Sequence, residues 1–470
     1  VRSLLWVGMG LLIVGSAAMA DPGCPVGPTD LVVPGEVTEW LEANAISFES
    51  VLPGHGCGDL RPLIEMIGNA RIVALGEATH GTSEFFTMKH RIIECLVLQE
   101  GFSVVSMEVR GSGANPINAY VQTGQGSVDD ALALGGLVGK GWMDTHEVVG
   151  LLEWMRAYNE GMEQDALLSF RTFDYDETRT PLEVVLDYVR EVDPDRLEQV
   201  EDELECYARG LAQYGLYASL DAETLARCRQ GVEAVHTLLL AQEDAYRAAS
   251  TLEAYTEALE AARMLVQNEQ MLRLGPESYF TEFFNARDRL MAENVAWILE
   301  QAGPDAKIIL WAHNVHVQAS PVVLPVMEYP PLPDEEEGRT LIPMGVHLRE
   351  RFGDEMVIVG FSFESGEFRA VKRTGPFSAL GLMDIAVEPP LPNSHEQYLY
   401  PEGLDRYYVD LRSIPRDGAV ADWFEEPRYL RAIGMNYDAN NLEIASHRLR
   451  LHEAFDIVIC LRETSPSSVR

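Results

Sequence analysis

What this chain has little of is positive charge. Its 36 lysines and arginines stand against 74 aspartates and glutamates, a formal net charge of -38 over 470 residues. Such a surface repels nucleic acid phosphates and anionic lipid and argues against both as partners. It suits a cationic small molecule, and equally a solvated acidic surface in a salty medium. Familiar chemical signatures are missing too. Without G-x-S-x-G there is no nucleophile elbow for a serine hydrolase. No P-loop, dinucleotide glycine fingerprint or H-E-x-x-H zinc helix is present. The absence of C-x-x-C removes a thioredoxin-type or zinc-ribbon role. No internal repeat divides the chain. Hydrophobic residues still make up 47%, so a sizeable core is expected rather than disorder.

The first residues read as an export signal. Arg2 supplies the positive charge, Leu4 to Val14 is apolar, and Ala18-Met19-Ala20 forms an A-x-A cleavage site. The apolar run is too short to span a bilayer comfortably. Cleavage after Ala20 would put the mature protein in the periplasm or outside the cell, without a membrane anchor, where disulfides are permitted. Of the six cysteines, Cys24 and Cys57 flank the N-terminal edge. Cys206 and Cys228 lie on successive predicted helices and could staple a hairpin. Cys95 and Cys460 sit in apolar surroundings and read as buried free thiols.

Five short apolar runs predict strands buried on both faces: Arg71–Gly76, Phe102–Met107, Leu167–Phe173, Ala306–Trp311 and Phe455–Leu461. Helical spacing between several of them predicts an α/β fold, a central and largely parallel sheet flanked by helices. Met356–Phe363 and Glu367–Val371, separated by Glu364-Ser365-Gly366, predict a hairpin in a C-terminal mixed β part. The stretch 181–280 reads as a helical insertion or cap of three to four helices. There Leu225, Cys228, Val232, Val235 and Leu239 mark one helical face, and Ser250 with Glu253 fits a capping box. The expected organisation is a signal peptide at 1–20, an extension at 21–36, a core at 37–180 and 281–470, and the insertion between. The Pro-rich, acidic loop 325–338 is either a lid or a passive loop.

The reactive side chains collect at one kind of position. Glu77 and His80 follow the first strand, Glu108 ends the second, Asp174 ends the third, and His313 and His316 follow the fourth. The C-terminal edge of a parallel sheet is where ligands bind. Histidines beside carboxylates suit general-base attack by water, the imidazole taking a proton while a carboxylate fixes its tautomer. Each residue also has a structural reading. Glu77 and Thr79 could cap a helix, His80 could bond a carbonyl in a tight turn, and Asp174 could pair a buried arginine.

The blocks GEATHGTSEFF, FSVVSMEVRG, TFDYD, NARDRLMAENVAWIL, WAHNVHV and FDIVICLRETSPS, in this order and at this spacing over roughly residues 60 to 467, resemble the erythromycin esterase family. The resemblance implies an α/β core with a helical region beside the cleft. It also implies hydrolysis of a macrolide-type lactone without a serine nucleophile and without a required metal or other cofactor. His80 then looks like the base on water, Glu77 and Glu108 like the carboxylates that orient and polarise it, and His313 and His316 like imidazoles that stabilise the oxyanion or protonate the leaving oxygen. Lys89 aligns with a basic residue that is often found in the family, where an ammonium lacks the bidentate geometry of a guanidinium. Arg287 is a second cation beside the substrate, with Asp174 as a further binding residue. Two other readings use the same residues: a metal-dependent hydrolase with His80, His313, His316 and a glutamate as ligands, and a binding protein without catalysis.

Overall fold

A computed structural model of the chain describes residues 31–110, 114–138, 143–175, 179–212, 217–274, 280–324, 339–374 and 378–470. The signal peptide, Cys24 and the loop 325–338 lie outside the described residues. The strands of four or more residues in the main sheet are β1 (Ile72–Leu75), β2 (Val104–Arg110), β3 (Ser169–Asp174), β4 (Ile308–Trp311), β5 (Met356–Arg373), β6 (Ala379–Ala386), β7 (Arg406–Asp410) and β8 (Ile457–Thr464). The main sheet runs Ile46–Ser47, β7, β8, β5, β1, β4, β2, β3. From β8 to β3 every neighbouring pair is parallel. β7 and the short Ile46–Ser47 close one edge antiparallel, and β6 runs antiparallel to the far half of β5. The expected α/β fold with a mixed C-terminal part is the one observed.

The central strands β1 and β4 are buried at every position, which is why they read as unbroken apolar runs. Their alternate residues divide between two cores. Val73, Leu75, Ile309 and Trp311 point to the layer holding Phe85, Ile92 and Leu96 of helix α1 (Ser83–Glu100). Ile72, Ala74, Ile308 and Leu310 point to the opposite layer, with Met291, Val295 and Ile298 of helix α2 (Phe280–Ala302). A third cluster, including Leu182, Tyr207, Val232 and Leu265, forms the core of the helical insertion. Gln267 of that insertion donates to Asn294 of α2 at 2.8 Å, and Asn294 donates to the Phe173 carbonyl of β3 at 2.9 Å. The insertion is thereby tied to the sheet edge that carries Asp174. Among the described residues no helix is long and apolar enough to cross a membrane.

Several expectations need correction. Glu364-Ser365-Gly366 does not turn. β5 is one 18-residue strand, and Ser365 and Gly366 stay paired with Glu463 and Thr464 of β8. Gly366 has φ +107°, and a Cβ there would lie 2.2 Å from the Thr464 carbonyl oxygen, so the glycine serves close strand contact. The antiparallel partner of β5 is β6, further along. Cys95 is not a free thiol but is bonded to Cys57. Cys206 and Cys228 do staple two helices, and Cys460 is free and buried. The insertion holds five described helices, Thr180–Val192, Leu197–Leu211, Ala222–Ala241, Glu243–Ala249 and Leu252–Leu274. The last is capped by Thr251, whose hydroxyl accepts from Ala254 N at 3.1 Å, one residue beyond the expected Ser250, which instead bonds back to the Tyr246 carbonyl.

Candidate active site

β1 ends at Leu75, and the chain takes seven residues to reach α1. The helix-capping reading of Glu77 fails here: α1 begins at Ser83 after Thr82, and no side chain caps it. The loop is fastened by other parts of the chain instead. Gly76 N donates to Val359 O at 2.8 Å and Asn314 N donates to Glu77 O at 2.8 Å. Ile433 N donates to Ala78 O at 2.8 Å, and Arg369 N and Ser467 N both donate to Gly81 O at 2.9 Å. This close approach needs glycine, since a Cβ on Gly81 would lie 1.9 Å from the Arg369 carbonyl oxygen.

The clamp presents Glu77 and His80 to one another. His80 Nδ1 is 2.7 Å from Glu77 Oε1. A carboxylate there draws the proton onto Nδ1 and leaves the ring's lone pair on Nε2. Glu77 Oε2 accepts from Lys89 Nζ at 2.6 Å and from Trp311 Nε1 at 3.1 Å. Lys89 is fully buried on α1 and also donates to the Ala312 carbonyl at 3.2 Å. Burial pulls the Lys89 ammonium down to about 8, and the charge of Glu77 opposes that fall.

A second cluster lies against the first, with the rings of His80 and His313 centred 5.0 Å apart. Glu108, at the end of β2, is its hub. Its Oε1 accepts from Arg287 Nη2 at 2.9 Å and lies 3.2 Å from His316 Nε2, and its Oε2 accepts from His313 N at 3.0 Å. Arg287 grips Asp174 with two hydrogen bonds, Nε to Oδ1 at 3.0 Å and Nη2 to Oδ2 at 2.8 Å. Asp174 is thus the partner of a buried arginine, one of its two sequence readings. Burial works against the Arg287 charge, but Asp174 and Glu108 more than offset it, so its pKa rises. Burial also opposes ionisation of Glu108, yet His316 and Arg287 hold its pKa well below the usual carboxylate range.

His313 and His316 flank Asn314 on the one-turn helix α3 (Asn314–Val317) but differ chemically. His313 is the cap: its Nδ1 accepts from Val315 N at 3.2 Å, so Nε2 carries the hydrogen and donates to Ile433 O at 3.1 Å. Burial, with His80 nearby, drives its pKa well below the ordinary value. His316 stacks on Phe284 and sits between two carboxylates, its Nδ1 lying 2.9 and 3.0 Å from the oxygens of Asp288. Burial disfavours its charge, but Asp288 and Glu108 overcome that and push it up to about 10, an imidazolium at neutral pH. Arg287 Nη1 is also 3.2 Å from His316 Nε2. With the ring doubly protonated that is two cations sharing Glu108, not a hydrogen bond between them.

The structure therefore brings together His80, Glu77, Lys89, Glu108, His313, His316, Arg287 and Asp174. Asp288 was missed by the sequence reading. Its signal was available: an acid next to Arg287 on a face of α2 that also buries Phe284, Leu290 and Met291, which requires a partner. A small depression beside His80 is lined by Gly81, Arg369, Ala370, Leu382, Met435 and Ser467.

Comparison with known proteins shows what the chain is similar to. The erythromycin esterase family profile matches residues 97–464. The chain is 24% identical over 402 residues to erythromycin esterase type II of Escherichia coli, spanning 81% of this chain and 90% of that one. A crystal structure of a Bacillus cereus protein superposes with TM-score 0.76 at 26% identity, covering 94% of this chain and 100% of the other. A mutant erythromycin esterase in its open conformation shares the fold, with TM-score 0.63 at 19% identity over 90% of this chain and 98% of the other.

Proposed function

Because the chain belongs to the erythromycin esterase family, we propose that it is a hydrolase adding water to a carboxylic ester of the macrolide-lactone type, with His80 as the base on water. The observation that carries the reading is the row Lys89, Glu77, His80, in which a buried ammonium, a carboxylate and an imidazole are joined at 2.6 and 2.7 Å. Glu77 fixes the tautomer with the lone pair on Nε2, and Lys89 and Trp311 fix Glu77. Water held at Nε2 loses a proton to the ring as its oxygen adds to the ester carbonyl carbon. The tetrahedral species then expels the alcohol oxygen, which takes the proton back from His80, giving an acid and an alcohol. Arg287 and His316 supply fixed positive charge next to the base, and Glu108, Asp174 and Asp288 hold those cations in place.

The donor set favours this reading over a metal centre. His313 engages both ring nitrogens with backbone groups, and His316 faces a carboxylate with each of its own. Neither ring offers a lone pair to an ion in this arrangement. The cation cluster and buried polar row also have a use in catalysis that a passive binding cleft lacks. The two disulfides among the described residues support an oxidising location, outside the cell or in the periplasm.

The test is product mass spectrometry on erythromycin and a panel of simpler esters, with and without chelator. The expected result is addition of one water, unaffected by chelator, with His80→Asn lowering kcat by about a hundred- to ten-thousand-fold. Equal activity of His80→Asn and the wild type would refute the assignment of the base. Loss of activity with chelator, restored by a divalent ion, would turn the reading to the metal-dependent alternative.

A further inference from the structure

We infer that Asn314 is a positioning residue whose carboxamide takes the place of Glu77 in the hydrogen-bond ladder of β5, so that Glu77 parts from that strand and reaches the catalytic base; this rests on the reading of His80 as the base. β1 and β5 pair in parallel from Ile72 and Met356 to Leu75 and Val359. Their last ladder bond is Gly76 N to Val359 O at 2.8 Å. Bonds in a parallel ladder are evenly spaced, so the next two would run from Phe361 N to Gly76 O and from Ala78 N to Phe361 O. Asn314 makes both instead: its Oδ1 accepts from Phe361 N at 3.2 Å, and its Nδ2 donates to Phe361 O at 2.7 Å. On the other side of β1 the ladder goes on, with Ala312 N donating to Leu75 O at 3.2 Å and Asn314 N to Glu77 O at 2.8 Å.

Phe361 is buried in the middle of β5, so its N–H and C=O need partners within the protein. A carboxamide carries an acceptor and a donor side by side, as a peptide group does, whereas a carboxylate has no hydrogen to donate. With Phe361 satisfied by Asn314, the end of β1 can separate from β5 while staying with β4. That separation sends the Glu77 side chain to Trp311 of β4 and Lys89 of α1, where it meets His80. Asn314 is itself buried and fills the space beside Gly76, where a Cβ would lie 2.1 Å from its Oδ1. The same side chain anchors α3, a single turn too short to hold itself, and so fixes His313 and His316 relative to Glu77.

Lys89 supplies a readout that loss of stability alone does not move. Burial draws its pKa to about 8, and the charges of Glu77 and Glu108 oppose that fall. A displaced Glu77 lets it drop further and carries the alkaline limb of kcat/KM below pH 8. Asn314→Ala and Gly76→Ala decide the matter, the second because its Cβ pushes the carboxamide off Phe361. Both are assayed on erythromycin and on p-nitrophenyl acetate beside the wild type and His80→Asn, with thermal melting and with hydrogen exchange at the Phe361 amide. Each is expected to lose about a hundredfold in kcat with KM little changed, to show the limb at lower pH, and to exchange that amide faster. The double variant should be no slower than Asn314→Ala, because the clash goes with the side chain. Activity lost only in proportion to folded protein, with the limb still near 8, would make Asn314 a structural residue and overturn the inference, as would failure of both variants to fold. Absence of turnover by the wild type on both esters, or full activity of His80→Asn, overturns the reading of the base and the positioning role with it. Amide exchange reports on the ladder independently, and unchanged protection of Phe361 in Asn314→Ala overturns the substitution itself.

Discussion

At the scale of single residues the site sets two pH dependences of opposite sign. Lys89 has an ordinary value of 10.5 and is drawn down to about 8 by burial. As pH rises through 8 the cation beside Glu77 is lost, and the orientation of His80 with it, so kcat/KM is expected to fall with a midpoint near that pH. The same residue affects stability the other way: between 8 and 10.5 the unfolded chain binds the proton that the folded one has lost, so folding is favoured as pH rises. Lys89→Arg keeps the charge throughout, and a pH profile of kcat/KM should lose the alkaline limb. Coincident limbs in the two proteins would assign it to another group. His316 is raised from 6.5 to about 10. Its contribution to stability is complete below 6.5 and disappears as pH rises through 10. Asp288→Asn removes the partner at Nδ1 and leaves a buried imidazolium half-compensated, which is expected to cost about 3–5 kcal/mol at neutral pH. Urea unfolding of this variant at pH 7 and at pH 10 checks both points, with the smaller difference from wild type at the higher pH.

At the scale of elements, the site is made by a loop that five backbone hydrogen bonds hold. Gly81→Ala tests the clamp, because the added carbon meets the backbone oxygen of Arg369 and no side chain can move aside. A loss of about 1–3 kcal/mol is expected, with kcat reduced far more than the melting temperature suggests. Gly101→Ala is the control: Gly101 ends α1 at φ +71° with nothing within 4 Å of a Cβ. It should cost about 1 kcal/mol through backbone strain alone and leave kcat unchanged; a Gly81→Ala protein with full activity would show the clamp to be dispensable. These elements were unevenly legible in the sequence. β1, β4 and the first five residues of β8 announce themselves because burial on both faces leaves no polar position to interrupt the run. The carboxylates and histidines named from the sequence could be collected because they sit at or just past strand ends. Gly366 misled because glycine marks a turn and a close strand contact with the same letter. The clamp was invisible for a deeper reason: Arg369, Ile433 and Ser467 hold the loop through backbone groups, which carry no signature of residue type. Asp288 escaped because its neighbours make α2 read as a plain core helix.

At the scale of the whole molecule, the excess of acid becomes a testable property. In the candidate site Glu77, Glu108, Asp174 and Asp288 face Lys89, Arg287 and His316, so the site does not reverse the sign of a chain whose net charge is -38. A substrate with a protonated amine is then drawn toward the protein, and an uncharged ester is not. Screening separates the two, since the Debye length shrinks from about 30 Å at 0.01 M salt to about 3 Å at 1 M. For a macrolide carrying a protonated amino sugar, kcat/KM is expected to fall by about tenfold or more across that range, the low end of what electrostatic steering supplies. For a neutral ester it should hold within about twofold, or rise slightly as screening relieves the self-repulsion of the acidic surface. If both substrates respond alike, the acidity belongs to solvation of the surface, and the selectivity of the site must come from its own side chains.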